Sequence, residues 1–221
     1  MAAAVEKAYS AIRNGIISGI HPGGTHLKAA DLAVALGVSR TPIREALRRL
    51  HAEGLVDFVA NRGAYVLAWN RTDVDEVFEL RTLLESYAAE MAAQNMTPEQ
   101  LAELRALADN MERAARDRPP RFLEIIADNN ARFHKLIRTA AGNRRLSSFI
   151  ATVVEMPLML RTFNRYREDE LLRSAAHHQE LVAAFAARDG RWAASVMRSH
   201  VIAAHHVFSA SEAARAAEQA A

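Results

Sequence analysis

The chain has 221 residues, of which 50% are hydrophobic and 24% are charged, a balance typical of a globular protein with ample material for a core. Its formal net charge of +2 is too small to indicate a nucleic-acid or membrane partner by itself. The absence of cysteine excludes a disulfide scaffold, a zinc ribbon and a cysteine nucleophile. No apolar run is long enough to span a membrane and the first residues lack an apolar signal core, so we expect a cytoplasmic protein without a membrane partner.

Glycine and charge divide the chain near residue 70. Seven of the nine glycines fall in residues 1–70, together with eight Lys/Arg against five Asp/Glu, a net charge of +3. Residues 71–221 carry a net charge of −1. Frequent turns followed by long uninterrupted segments predict a small domain over 1–70 and an all-helical domain over 71–221.

The first domain begins with two predicted helices. Apolar residues at helical spacing predict a helix over 5–20, which the Pro- and Gly-containing loop at 21–24 ends. A short helix is predicted over 31–36, closed by Gly37.

A third helix and a hairpin complete this domain. The helix starts at 39–42, where hydroxyl residues and a proline suit the first turn, and it ends at Gly54. Two β-prone runs, 56–60 and 64–68, flank Asn61-Arg62-Gly63 and predict a β-hairpin. The order helix, helix, tight turn, helix, hairpin predicts a winged helix-turn-helix.

The third helix carries a basic face. Arg40, Arg44 and Arg48 recur every four residues, and apolar residues occupy the opposite face. Such a face is often merely solvated, but after a tight turn and before a hairpin it favours DNA binding. Arg40 and Arg44 then lie where base edges are read, and arginine can donate two hydrogen bonds to guanine.

Residues beside this face suit the phosphate backbone. Ser39 and Thr41 offer hydroxyls and first-turn amides to phosphate. Arg62, at the hairpin tip beside Gly63, suits the adjacent minor groove or the backbone.

These residues resemble the GntR family of bacterial transcription regulators, over most of residues 10–68. The matching segments are DLA at 31–33, LGVSRTPIREALRRL at 36–50, EGLV at 53–56 and RGAYV at 62–66. The resemblance implies that DNA is contacted by Ser39, Arg40, Thr41, Arg44, Arg62 and Gly63. Ala30 stands where some members place a base-reading arginine, which puts part of the operator preference in doubt.

The second domain is predicted to be an all-helical bundle, so the fold class is mainly α. Thr97-Pro98 and Pro119-Pro120 mark helix starts, and Gly142 and Gly190 mark breaks. Pro157 is predicted to kink the fourth helix. The six predicted helices span about 72–95, 97–117, 119–141, 143–165, 170–188 and 190–210.

Polar residues lie at the centre of three apolar stripes in this domain. Asn130 and His134 share one stripe, His178 is central to a second and His200 to a third, while His177 falls at a stripe edge. A single core histidine more often has a structural, hydrogen-bonded role. Three of them, with an amide oxygen, favour a divalent metal site instead, provided that the helices face each other.

This domain resembles the effector-binding FCD domain of the FadR subgroup, over roughly 72–210. The matching segments are FH at 133–134, AGN at 141–143, HQEL at 178–181 and MRSH at 197–200. The resemblance implies a metal, zinc or nickel, bound by an Asp-x-x-x-His pair and two later histidines, and often a small carboxylate effector. Asn130 stands where the pattern usually has Asp. This difference implies weaker metal binding or an open position completed by an anionic effector. Asp128 is an unsuitable substitute because it lies about 200° around the helix from Asn130.

Arg81 and Glu85 form a second buried polar pair, one turn apart in an apolar stripe. Two interpretations stay open: an ion pair within the helix, or an arginine that binds the carboxylate of an effector by a two-bond fork. Asn143, after Gly142, is predicted to cap a helix.

Together these features predict a ligand-responsive repressor that reads a pseudo-palindromic operator in double-stranded DNA as a homodimer. The alternative is a metal-dependent hydrolase or lyase built on the three-histidine site. We expect no enzyme, because no acidic residue lies one turn from a ligand to act as a base, except possibly Glu85 across the bundle.

Overall fold

The computed structural model describes residues 2–17, 19–60, 62–68, 71–153 and 166–220. Within these ranges the chain forms two compact units, one before residue 70 and one after it. No helix in the described ranges is both long and apolar enough to cross a membrane.

The first unit contains three helices and a three-stranded antiparallel sheet. The strand order is β1-β3-β2, and the β2–β3 hairpin pairs Val59 with Gly63 at its tip. The strand β1 was not predicted, because two residues are too few to show a period. The elements are α1 (Ala2–Ile17), β1 (His26–Leu27), α2 (Ala29–Leu36), α3 (Arg40–Ala52), β2 (Val56–Val59) and β3 (Gly63–Val66).

The core of this unit lies between α1 and α3. Ile12 and Ile16 of α1 are buried together with Ile43, Leu47 and Leu50 of α3. Spacing of three, four and seven residues places these apolar side chains on one face of each helix. The predicted winged helix-turn-helix is confirmed.

The second unit is a helical bundle, as predicted. The third of its helices starts at Phe122 and not at 119, because proline disfavours helical geometry in the residue before it and Arg121 takes a positive φ of 62°. The fourth is described only to Val153, so its predicted extension to 165 and the kink at Pro157 lie outside the described residues. The helices are α4 (Arg71–Asn95), α5 (Pro98–Asp117), α6 (Phe122–Ala140), α7 (Arg144–Val153), α8 (Glu168–Ala186) and α9 (Gly190–Ala220).

Two helix starts in this unit follow the sequence closely. Thr97 and Gln100 form a capping box at the start of α5. The Asn143 side-chain oxygen accepts a hydrogen bond of 3.1 Å from the Leu146 amide, which confirms the predicted cap. The helix α4 packs against α6, α7, α8 and α9. It therefore lies beside the three helices that carry the central histidines, α6, α8 and α9.

Candidate functional site

The third helix of the first unit, α3, separates an apolar face from a basic face. The side chains of Arg40, Arg44 and Arg48 are exposed, on the side of α3 away from the core. The buried face consists of Pro42, Ile43, Ala46, Leu47 and Leu50. The spacing of the arginines therefore predicted their exposure correctly.

The arginines of α3 differ in the contacts that they make within the chain. Arg49 forms an ion pair of 2.9 Å with Glu6, and its guanidinium carbon lies 3.6 Å from the centre of the Tyr9 ring. Arg40 and Arg44 have no hydrogen bond or ion pair within the described part of the chain. Arg49 thus links α3 to α1, whereas none of the N–H donors of Arg40 and Arg44 is used within the described part of the chain.

The hydroxyl of Ser39, at the turn before α3, does not cap the helix. Gly37 ends α2 with a positive φ of 64°, a conformation that glycine adopts without strain. Ser39 is the N-cap of α3, but its side chain makes no capping hydrogen bond. The Ser39 and Thr41 side chains are both exposed at the start of α3, where unpaired helix amides attract anions.

The hairpin tip places an arginine beside a glycine that its geometry requires. Arg62 is exposed and directly precedes Gly63, whose φ is 98°. A Cβ at Gly63 would lie 3.0 Å from Nε2 of His26. Any other residue at this position would strain the tip and crowd the β1 strand.

The three histidines of the second unit converge in its core. The ring of His200 lies 5.3 Å from that of His134 and 4.6 Å from that of His178, between ring centres. One possible ligand atom from each of the three rings lies within 4.8 Å of the others. All three side chains are at least 95% buried. The condition that periodicity left open, that the three helices face each other, is met.

In His134 and His178, hydrogen bonds determine which ring nitrogen carries the proton of the neutral form. Nδ1 of His134 lies 2.7 Å from Oε2 of Glu85, and Nδ1 of His178 lies 2.7 Å from the Ser174 carbonyl oxygen. Both partners only accept, so each Nδ1 carries the proton and each Nε2 presents a lone pair when the ring is neutral. Burial, reinforced by repulsion from His134, lowers the pKa of His178 to about 3.

Other nitrogens of the cluster have no hydrogen-bond partner among the described residues. Burial lowers the pKa of His200 well below its usual value, so this ring is neutral as well. Nε2 of His134 and Nδ1 of His200 are buried without a hydrogen-bond partner among the described residues. Buried polar atoms are normally paired, and lone pairs that converge from oriented neutral imidazoles are the donors that zinc and nickel prefer. The residues therefore fit a metal.

Arg81 and Glu85 combine features of both earlier interpretations. Nε of Arg81 donates to Oε1 of Glu85 at 2.8 Å, which is the ion pair within the helix. Burial alone would raise the pKa of Glu85, but attraction to Arg81 and His134 outweighs it and holds that pKa well below its usual range. Nη1 of Arg81 is nevertheless buried without a hydrogen-bond partner in the described residues, so the N–H groups of this nitrogen stay available for a ligand.

The sequence interpretation missed one contact of Glu85 and two further residues near the site. Glu85 orients His134 across the bundle, a contact between residues 49 positions apart. The His177 ring lies 5.9 Å from that of His200 although it falls at a stripe edge. Burial raises the pKa of Tyr166 to about 12, against a lowering influence of the Arg81 charge. Only Glu85 had a sequence signal, its central place in an apolar stripe.

Two family models match separate parts of the chain. The model of the bacterial regulatory proteins of the gntR family matches residues 4–66, and that of the FCD domain matches residues 76–203.

Similar proteins extend over most of the chain. The HTH-type transcriptional regulator YdhC of Bacillus subtilis is 30% identical over 75% of this chain and 74% of its own length. A probable D-xylose utilization operon transcriptional repressor of Paenarthrobacter nicotinovorans is 29% identical over 85% of this chain and 81% of its own. The structure of E. coli McbR/YncC covers 93% of this chain and 98% of its own with a TM-score of 0.66 and 24% identity, which shows a shared fold.

Proposed function

The chain belongs to the GntR family of bacterial transcription regulators and carries an FCD domain. We propose that it is a ligand-responsive repressor whose two domains, before and after residue 70, have different roles. Residues 1–70 bind operator DNA, and residues 71–221 sense a small molecule. Two relatives are named as repressors, of a D-xylose utilization operon and of a gluconate operon. Acting on DNA places the protein in the cytoplasm.

We propose that α3 enters the major groove. Arg40 and Arg44, which have no partner within the described residues, donate to base edges, with guanine as the preferred base. Ser39 and Thr41 bind phosphate at the start of the helix. Arg62 enters the minor groove or contacts the backbone, with Gly63 allowing its approach. The observation that carries this proposal is that two arginines at the start of α3 are exposed and make no ion pair with any described residue.

We propose that the protein acts as a homodimer on a pseudo-palindromic operator. The helix α4 presents an exposed apolar stripe, Leu80, Leu83 and Tyr87, with exposed fractions of 47%, 59% and 50%. These residues are three and four positions apart and share one helix face. Contiguous apolar surface of this kind is typical of an interface, and a twofold axis would present two α3 helices to two half-sites.

We propose that zinc or nickel is held by His134, His178 and His200, with Asn130 at the fourth position. The ion would supply Lewis-acid charge that attracts a small carboxylate. Arg81 would bind that carboxylate through Nη1, which has no partner among the described residues, while Glu85 keeps both Arg81 and His134 in place. Binding must favour one arrangement of the DNA-binding domains over another to change operator affinity.

An enzymatic role for this site has little support. Both oxygens of Glu85 are engaged, one by Arg81 and one by His134, so Glu85 is poorly placed to act as a general base. The family consists of regulators.

Fluorescence anisotropy with the DNA upstream of the protein's own gene tests the DNA-binding proposal. We expect the protein to prefer this duplex over a shuffled duplex of the same composition by at least about 1,000-fold at physiological salt. Equal affinity for both would contradict it. Elemental analysis and mass spectrometry of the protein purified without chelator test the sensor. If the purified protein contains neither a metal nor a small acid, a structural role for the histidines is favoured.

A further inference from the structure

Asn130 faces the lone pair of a ligand histidine. Its side chain is 1% exposed, and its Oδ1 lies 3.0 Å from Nε2 of His178. Since Nδ1 of His178 donates to the Ser174 carbonyl oxygen, Nε2 has a lone pair and no proton in the neutral ring. Two acceptors therefore face each other, and the amide nitrogen of Asn130 has no partner among the described residues.

Two arrangements resolve this contact. If the amide turns, its nitrogen donates to Nε2 of His178 and the site is satisfied without metal. If the amide keeps its oxygen toward the ring, a cation between the two lone pairs satisfies both. A carboxylate at position 130 could not donate, so the first arrangement exists only because this residue is asparagine. The amide thus competes with a metal for His178.

The net charge of the site also opposes metal binding. An imidazole ligates a metal only in its neutral form, so with an ion bound the side chains of His134, His178, His200 and Asn130 contribute no charge. The charges of Arg81 and Glu85 cancel each other. A divalent ion would keep its entire charge in a fully buried site, which is costly. Within the described residues no other carboxylate compensates: Asp128 is exposed.

We propose that metal and anion occupy this site as a pair, because Asn130 leaves a bound divalent ion without the negative charge that a carboxylate ligand would supply. This inference rests on the proposed sensor site. A small carboxylate supplies the missing negative charge and the missing metal ligand. Nη1 of Arg81, which is unpaired within the described ranges, holds its second oxygen. The anion, and not metal supply alone, then determines whether the site is filled. By thermodynamic linkage the metal raises the affinity for the anion by the same factor.

Cobalt(II) and acetate test this coupling directly. Co²⁺ is titrated into metal-free protein and followed by its visible absorption, with and without acetate, in a perchlorate buffer because chloride is itself a ligand. For the wild type we expect acetate to raise Co²⁺ affinity about 10-fold or more, within the usual range of coupling between sites. For Asn130→Asp we expect about 10- to 100-fold tighter Co²⁺ binding without acetate and an acetate effect below about 3-fold, since the charge is already supplied.

The matched control is Asn143→Asp, the same substitution at a helix cap outside the site. It should retain the wild-type acetate dependence. If acetate does not change the Co²⁺ affinity of the wild type, the proposal is wrong, even if Asn130→Asp fails to fold. An equal acetate effect in the wild type and in Asn130→Asp would overturn it as well. Operator binding by the wild type is measured separately, with and without Co²⁺ and acetate. Its absence under every condition would contradict the proposed regulator function and leave the coupling intact.

Discussion

Replacing Glu85 by glutamine should strongly destabilise the helical unit. Glu85 and Arg81 are 3% and 2% exposed and form an ion pair of 2.8 Å. Glutamine keeps the shape and can still accept a hydrogen bond from Nδ1 of His134, but it removes the charge that compensates Arg81. A buried guanidinium is then left without a counter-charge.

The magnitude follows from this burial. Removing one partner of a buried ion pair costs about 3–5 kcal/mol, whereas removing both is often close to neutral. For a unit of this size each kcal/mol lowers the melting temperature by about 2–4 °C, so we expect Glu85→Gln to lower it by roughly 6–20 °C. The double variant Arg81→Met/Glu85→Gln should recover most of this loss, because it removes the uncompensated charge and keeps an acceptor for His134.

Urea unfolding followed by circular dichroism, at equal m-value, measures these free energies. The matched control is Glu103→Gln, since Glu103 is half exposed in its ion pair of 3.2 Å with Arg132. It should change the free energy of unfolding by less than about 0.5 kcal/mol. If Glu85→Gln costs no more than Glu103→Gln, or if the double variant is as unstable as the single one, the reasoning about the buried charge is wrong.

Three further outcomes are expected. Gly190→Ala should destabilise by about 1–3 kcal/mol in urea unfolding, because its Cβ would lie 2.8 Å from the Glu90 carbonyl oxygen; an unchanged midpoint would contradict the close approach. With metal chelated, His178 stays neutral down to about pH 3, whereas the unfolded chain protonates it below about pH 6.5. His178 alone should therefore lower the free energy of unfolding by up to about 1.4 kcal/mol for each pH unit below pH 6.5, and His178→Gln, but not His206→Gln, should remove this part of the slope. Leu83→Glu should convert a dimer into a monomer in sedimentation velocity, and a wild type that is monomeric at all concentrations refutes the proposed interface.

Periodicity was sufficient to find the polar residues of the buried site. Asn130, His134, His178 and His200 were predicted because burial in a helix repeats every 3.6 residues, so a polar residue at the centre of an apolar stripe stands out. The rotation of one helix against another leaves no such local signal. The contact between Glu85 and His134, on α4 and α6, therefore could not be predicted from spacing.

The bounds of α6 and the existence of β1 could not be predicted from the sequence pattern either. Proline at 119 and 120 indicated a helix start, but the actual start at Phe122 depends on Arg121 taking a positive φ, which no side-chain pattern encodes. The strand β1 exists because His26 and Leu27 pair with β3. Such pairing is a tertiary property, and two residues show no alternation.

The most direct test of the central claim is operator binding by Arg44→Ala, measured by anisotropy at fixed salt with the DNA upstream of the gene. Arg44 is exposed on α3 and has no partner in the described chain, so its loss should weaken operator binding by about 1–3 kcal/mol and relax the preference at one base position. Arg105→Ala, an exposed arginine of α5, removes the same charge and should leave that preference unchanged. Equal operator affinity for wild type and Arg44→Ala would contradict the assignment of α3 as the helix that reads DNA.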